Sequence, residues 1–174
     1  MAPHRLPAFR INARELLRQP GLQKRVELVV SPGELGVDDD RIVGDVASDL
    51  TATSTIDGIA VHGTVAMPWR TSCRRCLAEV TGTSEIVIDE MYQDPADLTV
   101  GDDEAFPIEG DQIDLVPVVR EHLLLELPDD VLCREECAGI CPVCGTDLNQ
   151  DACDCDTTVR DERWAVLDDL HLDD

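Results

Sequence analysis

Cysteine spacing constrains this chain more than any other feature of its sequence. The 174 residues include eight cysteines, and six of them lie between Cys133 and Cys155 in "CREECAGICPVCGTDLNQDACDC". The other two, Cys73 and Cys76, lie more than 50 residues upstream in "SCRRCL". Any chemistry that uses all eight must therefore bring two distant segments together.

Two pairs of cysteines have the C-x2-C spacing of a metal-binding turn. Such a turn lets both sulfurs reach one zinc ion at about 2.3 Å. The pairs are Cys73/Cys76 and Cys141/Cys144. In the second pair, Pro142 and Gly145 suit the turn, because a following glycine lets backbone N–H groups point back at sulfur.

The cysteines can be divided into two sites of four ligands each. Their closeness in sequence predicts a local zinc site made of Cys141, Cys144, Cys153 and Cys155. A C-x3-C pair can also reach a single ion, so a second zinc site would combine Cys73, Cys76, Cys133 and Cys137. Spacing alone also permits other partitions, such as Cys137 joining the local site.

Three other uses of the cysteines remain open. Iron-sulfur clusters also take four thiolates, but these spacings match neither the bacterial nor the plant ferredoxin pattern. A thioredoxin-like pair would open a helix after a strand, whereas Cys73 and Cys76 lie in an expected β-turn. Disulfides would require an oxidising compartment.

The N-terminus bears on the compartment. It has no apolar run of signal-peptide length, and the chain has no apolar span of about 18 residues, so we expect a cytoplasmic protein without membrane association. The first 18 residues contain four Arg and one acidic residue, which leaves a transit peptide as the alternative. A reducing compartment favours metal ligands over disulfides.

Charge is distributed unevenly along the chain. The formal net charge is −23, from 14 Lys and Arg against 37 Asp and Glu. Residues 1–30 contain six basic and two acidic side chains, and the remainder therefore carries eight basic and 35 acidic ones, a net of −27. Because nucleic acid is bound mainly through Lys and Arg, such a body favours a basic protein as partner.

Hydrophobic periodicity predicts an α+β fold. "INARELLRQPG" reads as a short helix with Asn12 as N-cap, and "QKRVELVV" as a strand. Val- and Thr-rich segments on either side of Asp57-Gly58 predict a β-hairpin, and "AEVTGTSEIVIDEMY" continues the sheet. We therefore expect an antiparallel sheet or partly open barrel with a few helices, stapled by zinc-binding cysteine clusters.

The second half of the chain is predicted to begin with an acidic loop. This loop covers residues 93–110, and a helix over 112–127 follows, with Asp114 as N-cap and Pro117 in its first turn. The predicted apolar stripe of that helix consists of Leu115, Val118, Val119, His122, Leu123 and Glu126. A last amphipathic segment would dock through Trp164, Val166, Leu167 and Leu170.

Three arginines surround the first cysteine pair. They are Arg70, Arg74 and Arg75. A zinc ion held by four thiolates carries a charge of about −2, so these arginines can compensate the site. The alternative is a small patch that contacts phosphate or RNA.

Motifs of catalysis are missing from the sequence. It contains no HExxH, phosphate loop, GxSxG or GxGxxG, and its four histidines show no metal-ligand spacing. We therefore predict a protein that is not an enzyme and has no catalytic residues.

Several motifs in combination resemble the YceD family, named for accumulation of the large-subunit (23S) rRNA. They are "ELLRQPG", "DGIAVHGTVAMPWRTSCRRCL", "DEMYQDP", "IDLVPVVREHLLLELP", "CREECAGICPVCGTDLN" and "RWAVLDDL". Some members of the family lack the final "CPVCG...CDC", so the resemblance implies that Cys73, Cys76, Cys133 and Cys137 form a separable group.

The resemblance also implies a role in biogenesis of the large ribosomal subunit. Genes of the family commonly neighbour that of a small basic large-subunit ribosomal protein, which makes this protein, or the subunit precursor, the expected partner. We thus expect an acidic scaffold, with an α+β domain at 1–140 and a C-terminal zinc knuckle and short helix at 141–174 that together form one structural unit. The alternatives are an rRNA-binding module and a zinc-linked redox switch. The rRNA-binding module would use Arg70, Arg74 and Arg75 with the basic N-terminus: Arg5, Arg10, Arg14, Arg18, Lys24 and Arg25.

Overall fold

A computed structural model describes residues 6–96, 105–157 and 163 of the chain. Its strands and α-helices are β1 (Arg10–Asn12), α1 (Ala13–Leu17), β2 (Gln23–Val30), β3 (Val46–Ser54), β4 (Ile59–Ser72), β5 (Glu79–Gln93), β6 (Ala105–Pro107), β7 (Gln112–Asp114) and α2 (Val116–Leu125). Short 3-10 helices cover Pro7–Phe9 and Pro32–Leu35. The fold is α+β and mostly strand, as predicted, and its sheets do not close into a barrel.

The chain forms two compact units. The first consists of Met1–Thr71 and Thr81–Asp129, and the second of Ser72–Val80 and Asp130–Asp174. The predicted division into residues 1–140 and 141–174 stays a prediction. All eight cysteines belong to the second unit.

The main sheet has five strands in the order β2-β3-β4-β5-β6. Strands β2, β3 and β4 pair antiparallel, with Leu50 of β3 opposite Val26 on one side and Gly63 on the other. The turn predicted at Asp57-Gly58 joins β3 to β4, and the Thr55 N–H donates to the Gly58 carbonyl at 2.8 Å. Strand β6 pairs with β5 in parallel.

The core of the first unit follows from side-chain alternation along the strands. In β3, Val46, Leu50 and Ala52 alternate with more exposed positions, because successive side chains of a strand point to opposite faces. Tyr92 of β5 is 1% exposed, and its hydroxyl donates to the Asp114 carbonyl at 2.7 Å. Burial of such side chains stabilises the unit by roughly 25 cal/mol per Å² of apolar surface.

Helix α1 begins as predicted. The Asn12 side chain accepts a hydrogen bond from the Glu15 N–H at 3.0 Å, which satisfies one of the unpaired donors at the helix N-terminus. Ala13 and Leu16 are buried.

The predicted helix over 112–127 is wrong at its start. Residues Gln112–Asp114 form β7, which pairs antiparallel with β1, so α2 begins only at Val116 with Leu115 as N-cap. Asp114 still contributes, because its side chain accepts the Val116 N–H at 3.0 Å. The backbone of these residues is extended because Arg10–Asn12 offers it a pairing partner.

The apolar stripe of α2 is confirmed at most of its positions. Leu115, Val118, Val119 and Leu123 are buried, whereas Glu126 is exposed and Leu127 is buried in its place. Part of the predicted loop at 93–110 lies outside the described residues, and residues 105–107 form β6. Trp164, Val166, Leu167 and Leu170 also lie outside them.

Candidate metal centre

The first C-x2-C pair lies in a tight turn between β4 and β5. The Cys73 N–H donates to the Ala78 carbonyl at 2.8 Å, and the Leu77 N–H donates to the Cys73 carbonyl at 2.9 Å. The Arg75 N–H points at the Cys73 sulfur at 3.4 Å. Leu77 has a φ of 61°, in the left-handed region that favours glycine.

The second C-x2-C turn has the same hydrogen bonds. The Cys141 N–H donates to the Thr146 carbonyl at 2.8 Å, the Gly145 N–H to the Cys141 carbonyl at 2.9 Å, and the Val143 N–H to the Cys141 sulfur at 3.4 Å. Gly145 has a φ of 75°. In both turns, backbone donors therefore face the sulfur that a metal would use.

The eight sulfurs form two groups of four. These are Cys73, Cys76, Cys133 and Cys137, here named the long-range group, and Cys141, Cys144, Cys153 and Cys155, here named the local group. Within each group the sulfurs all lie within 4.8 Å of one another. This is the division that the spacing and the resemblance predicted, and the identity of each residue as a metal ligand stays a prediction.

The sulfur separations fit a tetrahedral metal site. A zinc ion with four sulfurs at about 2.3 Å requires neighbouring sulfurs about 3.8 Å apart. In the long-range group, Cys73 and Cys137 lie 3.8 Å apart, and Cys76 and Cys133 lie 3.6 Å apart. A disulfide requires about 2.0 Å, and all eight cysteines are free. Both groups could therefore hold a metal ion.

The thiols of each group differ in proton affinity. The backbone N–H of Cys76 lowers the pKa of Cys73 to about 6, while the hydrogen bond with Cys76 raises the pKa of Cys133 to about 12. In the local group, the Thr146 hydroxyl lowers the pKa of Cys144 to about 6, and the hydrogen bond with Cys144 raises that of Cys155 to about 12. A metal ion must therefore displace protons from each group.

The long-range group is closed by contacts between its two segments. The Arg74 N–H donates to the Val131 carbonyl at 2.9 Å, and the Ile140 N–H donates to the Arg75 carbonyl at 3.0 Å. At Gly139, which has a φ of 80°, an added Cβ would lie 3.0 Å from the carbonyl oxygen of Arg75. A glycine is therefore required where the segment crosses the first turn.

The three arginines near Cys73 and Cys76 do not all point to solvent. The guanidinium of Arg75 donates to the Cys137 carbonyl at 2.9 Å, and Arg74 forms an ion pair with Asp130 at 2.8 Å. Arg70 also interacts within the chain. Contact of these residues with phosphate stays a prediction.

Sequence reasoning missed two residues of the site, Asp147 and Asn149. The Asn149 amide contacts the Cys137 sulfur at 3.5 Å and the Asp147 carboxylate at 2.7 Å. Backbone and side-chain hydrogen bonds from Asn149 lower the pKa of Asp147 below its usual range. The signal available was the motif "CGTDLN", in which two residues that favour turns follow a metal-binding turn.

Comparison with known proteins identifies relatives over most of the chain. Residues 61–171 match the model of a family described as "Large ribosomal RNA subunit accumulation protein YceD". An uncharacterized protein of Mycobacterium tuberculosis is 32% identical over 165 residues, which cover 90% of this chain and 78% of that protein. No solved structure matches. Within the described residues, no helix is both long and apolar enough to span a membrane.

Two further relatives match shorter parts of the chain. The uncharacterized protein YlbN of Bacillus subtilis is 28% identical over 89 residues, covering 51% of this chain and 49% of that protein. A chloroplastic Arabidopsis thaliana protein, named "Large ribosomal RNA subunit accumulation protein YCED homolog 1", is 34% identical over 65 residues, covering 37% of this chain and 20% of that protein. The family model covers well over half of the chain, from the second strand of the central hairpin through both cysteine groups, and the chain belongs to the YceD family.

Proposed function

We propose that this chain is a non-enzymatic factor in biogenesis of the large ribosomal subunit that supports accumulation of 23S rRNA in the cytoplasm. It acts as an acidic scaffold that holds a small basic large-subunit ribosomal protein, or the assembling particle, and its two cysteine groups each bind zinc. The link to large-subunit rRNA is supported by the family description and by the name of the plant relative.

The zinc ions would be structural. Four-thiolate sites leave no open position for a substrate or water. The long-range group would hold its ion with Cys73, Cys76, Cys133 and Cys137, and the local group with Cys141, Cys144, Cys153 and Cys155. A zinc ion supplies a cross-link there that a small protein unit with little core needs.

The proposal of a basic partner is supported by the charge of the chain and by the ion pairs of its arginines. Residues 31–174 have a net charge of −27. Several arginines, within residues 1–30 and beyond them, already pair with carboxylates of the same chain. The pairs are Arg10 with Asp114, Arg14 with Asp111, Arg25 with Glu27 and Asp49, Arg41 with Asp39 and Asp129, and Arg74 with Asp130.

These pairings disfavour RNA as the direct partner. Of the basic residues expected to bind RNA, Arg10, Arg14 and Arg25 would have to leave a carboxylate before they met a phosphate. Arg5 lies outside the described residues. The remaining acidic excess attracts a cationic protein and repels a polyanion.

Binding measurements separate the two partners. The full chain, reduced and supplied with zinc, is titrated calorimetrically with a small basic large-subunit ribosomal protein and, separately, with a 23S rRNA fragment in physiological salt. We expect heat and co-elution with the basic protein, weakened by added salt. Binding to the RNA alone, lost in an R18Q/K24Q variant, would establish the rRNA-binding alternative instead.

Metal analysis tests the zinc sites independently. Elemental mass spectrometry of the native protein should find two zinc ions per chain. One zinc ion would leave a single site, and iron would contradict the zinc proposal. The redox-switch alternative predicts that mild peroxide releases zinc and creates a disulfide in non-reducing mass spectrometry.

A further inference from the structure

Asn149 lies between two cysteines of the local group and contacts a sulfur of the long-range group. It lies in the spacer between Cys144 and Cys153 of the local group, yet its amide nitrogen is 3.5 Å from the sulfur of Cys137, which belongs to the long-range group. The contact spans 12 residues of sequence. No ligand spacing in the sequence requires this contact.

The orientation of the Asn149 amide follows from its partners. Its oxygen accepts the Ala138 backbone N–H at 2.8 Å and the Arg134 guanidinium at 2.7 Å, and both of these groups can only donate. Its nitrogen must therefore face the two acceptors, the Cys137 sulfur and the Asp147 carboxylate. The amide thus donates to sulfur.

The spacer that carries Asn149 is held on both sides. The Leu148 N–H donates to the Gly139 carbonyl at 2.9 Å, which joins the spacer to the segment between Cys137 and Cys141. The Asp147 carboxylate accepts the backbone N–H of Asn149 at 3.0 Å and its side-chain amide at 2.7 Å. The spacer begins directly after Cys144 and ends at Cys153, so the local group closes it into a loop.

We infer that Asn149 is a positioning residue that couples the two cysteine groups, so that metal binding at the local group increases the affinity of the long-range group for metal. This inference rests on the proposed zinc sites. A metal ion at the local group fixes the ends of the loop, and the loop then presents the Asn149 amide to Cys137. By linkage, the long-range group increases the affinity of the local group by the same factor.

The expected size follows from other metal sites. Hydrogen bonds to metal ligands contribute about 10- to 100-fold to metal affinity. The Asn149 amide donates to the sulfur of such a ligand, Cys137. We therefore expect loss of the Asn149 donor to weaken the long-range group about tenfold.

The test measures each group separately in the full chain. Zinc is buffered at known free concentrations, the protein is alkylated, and mass spectrometry reports protection of the peptides that contain Cys73 and Cys153. Four variants are compared with the natural sequence: N149D, Q150A, C153S/C155S and N149D/C153S/C155S. N149D keeps the shape of the side chain and one acceptor oxygen. It replaces the amide nitrogen with a second carboxylate oxygen, which cannot donate a hydrogen bond.

Four results are expected. In N149D, half-protection of Cys73 shifts to about tenfold higher free zinc while folding, followed by circular dichroism, is retained. In C153S/C155S, the free zinc concentration for half-protection of Cys73 rises by a similar factor, although no ligand of the long-range group has changed. The combined variant shifts no further than N149D alone, because both changes remove one interaction. Q150A alters a neighbour whose side chain donates to the Asp147 carboxylate, and it should leave the protection of Cys73 unchanged.

Opposite results overturn the inference. A shift of less than threefold in N149D, or shifts that multiply in the combined variant, would show that Asn149 does not couple the groups. Full alkylation of the natural protein at saturating zinc would instead overturn the proposed zinc sites. The two failures are therefore distinguishable.

Discussion

The two C-x2-C turns share a backbone and differ in what holds it. In both, the first cysteine's N–H donates at 2.8 Å to the residue five positions later, and the residue after the second cysteine has a positive φ. That residue is glycine at position 145 and leucine at position 77. A left-handed conformation costs a residue with a Cβ about 1–2 kcal/mol, so the first turn contains strain that the second does not.

The difference shows where each turn obtains its stability. The first turn connects two long strands, β4 and β5, and meets Cys133 and Cys137 from more than 50 residues away. Those surroundings fix the conformation of Leu77 and offset its strain. The second turn is completed by Cys153 and Cys155 nearby in sequence, and Gly145 lets it form without strain.

The largest effect is expected from removing one ligand of each group. Cys73 is fully buried, and Cys73→Ser should lower the zinc content by one and the free energy of unfolding by about 3 kcal/mol or more. Cys153→Ser should also remove one zinc, with new cleavage sites in limited proteolysis confined to the region after Ile140. Identical cleavage patterns for the two variants would contradict the proposed difference.

The next largest effect is expected at Gly139. Gly139→Ala places a Cβ 3.0 Å from the Arg75 carbonyl oxygen at a φ of 80°, and we expect it to lower the free energy of unfolding by about 2 kcal/mol. Gly145→Ala is the matched control, since nothing lies within 4 Å of its added Cβ. It should cost about 1 kcal/mol. Chemical denaturation at saturating zinc gives both values, and equal losses would show that close approach at Gly139 is unimportant.

A smaller effect is expected at the arginines of the first turn. Arg75→Ala removes the donor to the Cys137 carbonyl and should cost about 1 kcal/mol of unfolding free energy. Arg74→Ala breaks an exposed ion pair with Asp130 and should cost less than about 0.5 kcal/mol. Thermal unfolding of both variants with zinc bound shows which one loses more stability. A larger loss for Arg74→Ala than for Arg75→Ala would contradict the prediction.

A gain of similarly small size is expected at Leu77. Leu77→Gly removes the strain of its positive φ but increases the freedom of the unfolded chain, which offsets about 0.4–1 kcal/mol. We expect the free energy of unfolding to rise by about 0.5 kcal/mol in chemical denaturation. Since Leu77 is 64% exposed, little packing is lost. A clear decrease in stability would show that this side chain contributes more than its exposure indicates.

Much of the fold could be predicted because its signals are local. The Asn12 cap, strand β2 and the turn at Asp57-Gly58 each depend on a few consecutive residues. The start of α2 could not be predicted in the same way. Residues Gln112–Asp114 suit a helix as well as a strand, and their pairing with Arg10–Asn12 lies about 100 residues away in sequence.

The candidate site also combines features that depend on local sequence with contacts between distant segments. The two C-x2-C turns and the acidic character of the chain could be predicted, because they depend on spacing and composition alone. Spacing allowed several partitions of the other four cysteines, and the resemblance favoured the group that contains Cys73 and Cys137. The contact of Arg75 with the Cys137 carbonyl and the hydrogen bond from Asn149 to the Cys137 sulfur became visible only in the folded chain. Turn geometry is set by short-range backbone hydrogen bonds, whereas these contacts depend on the path of the chain between distant segments.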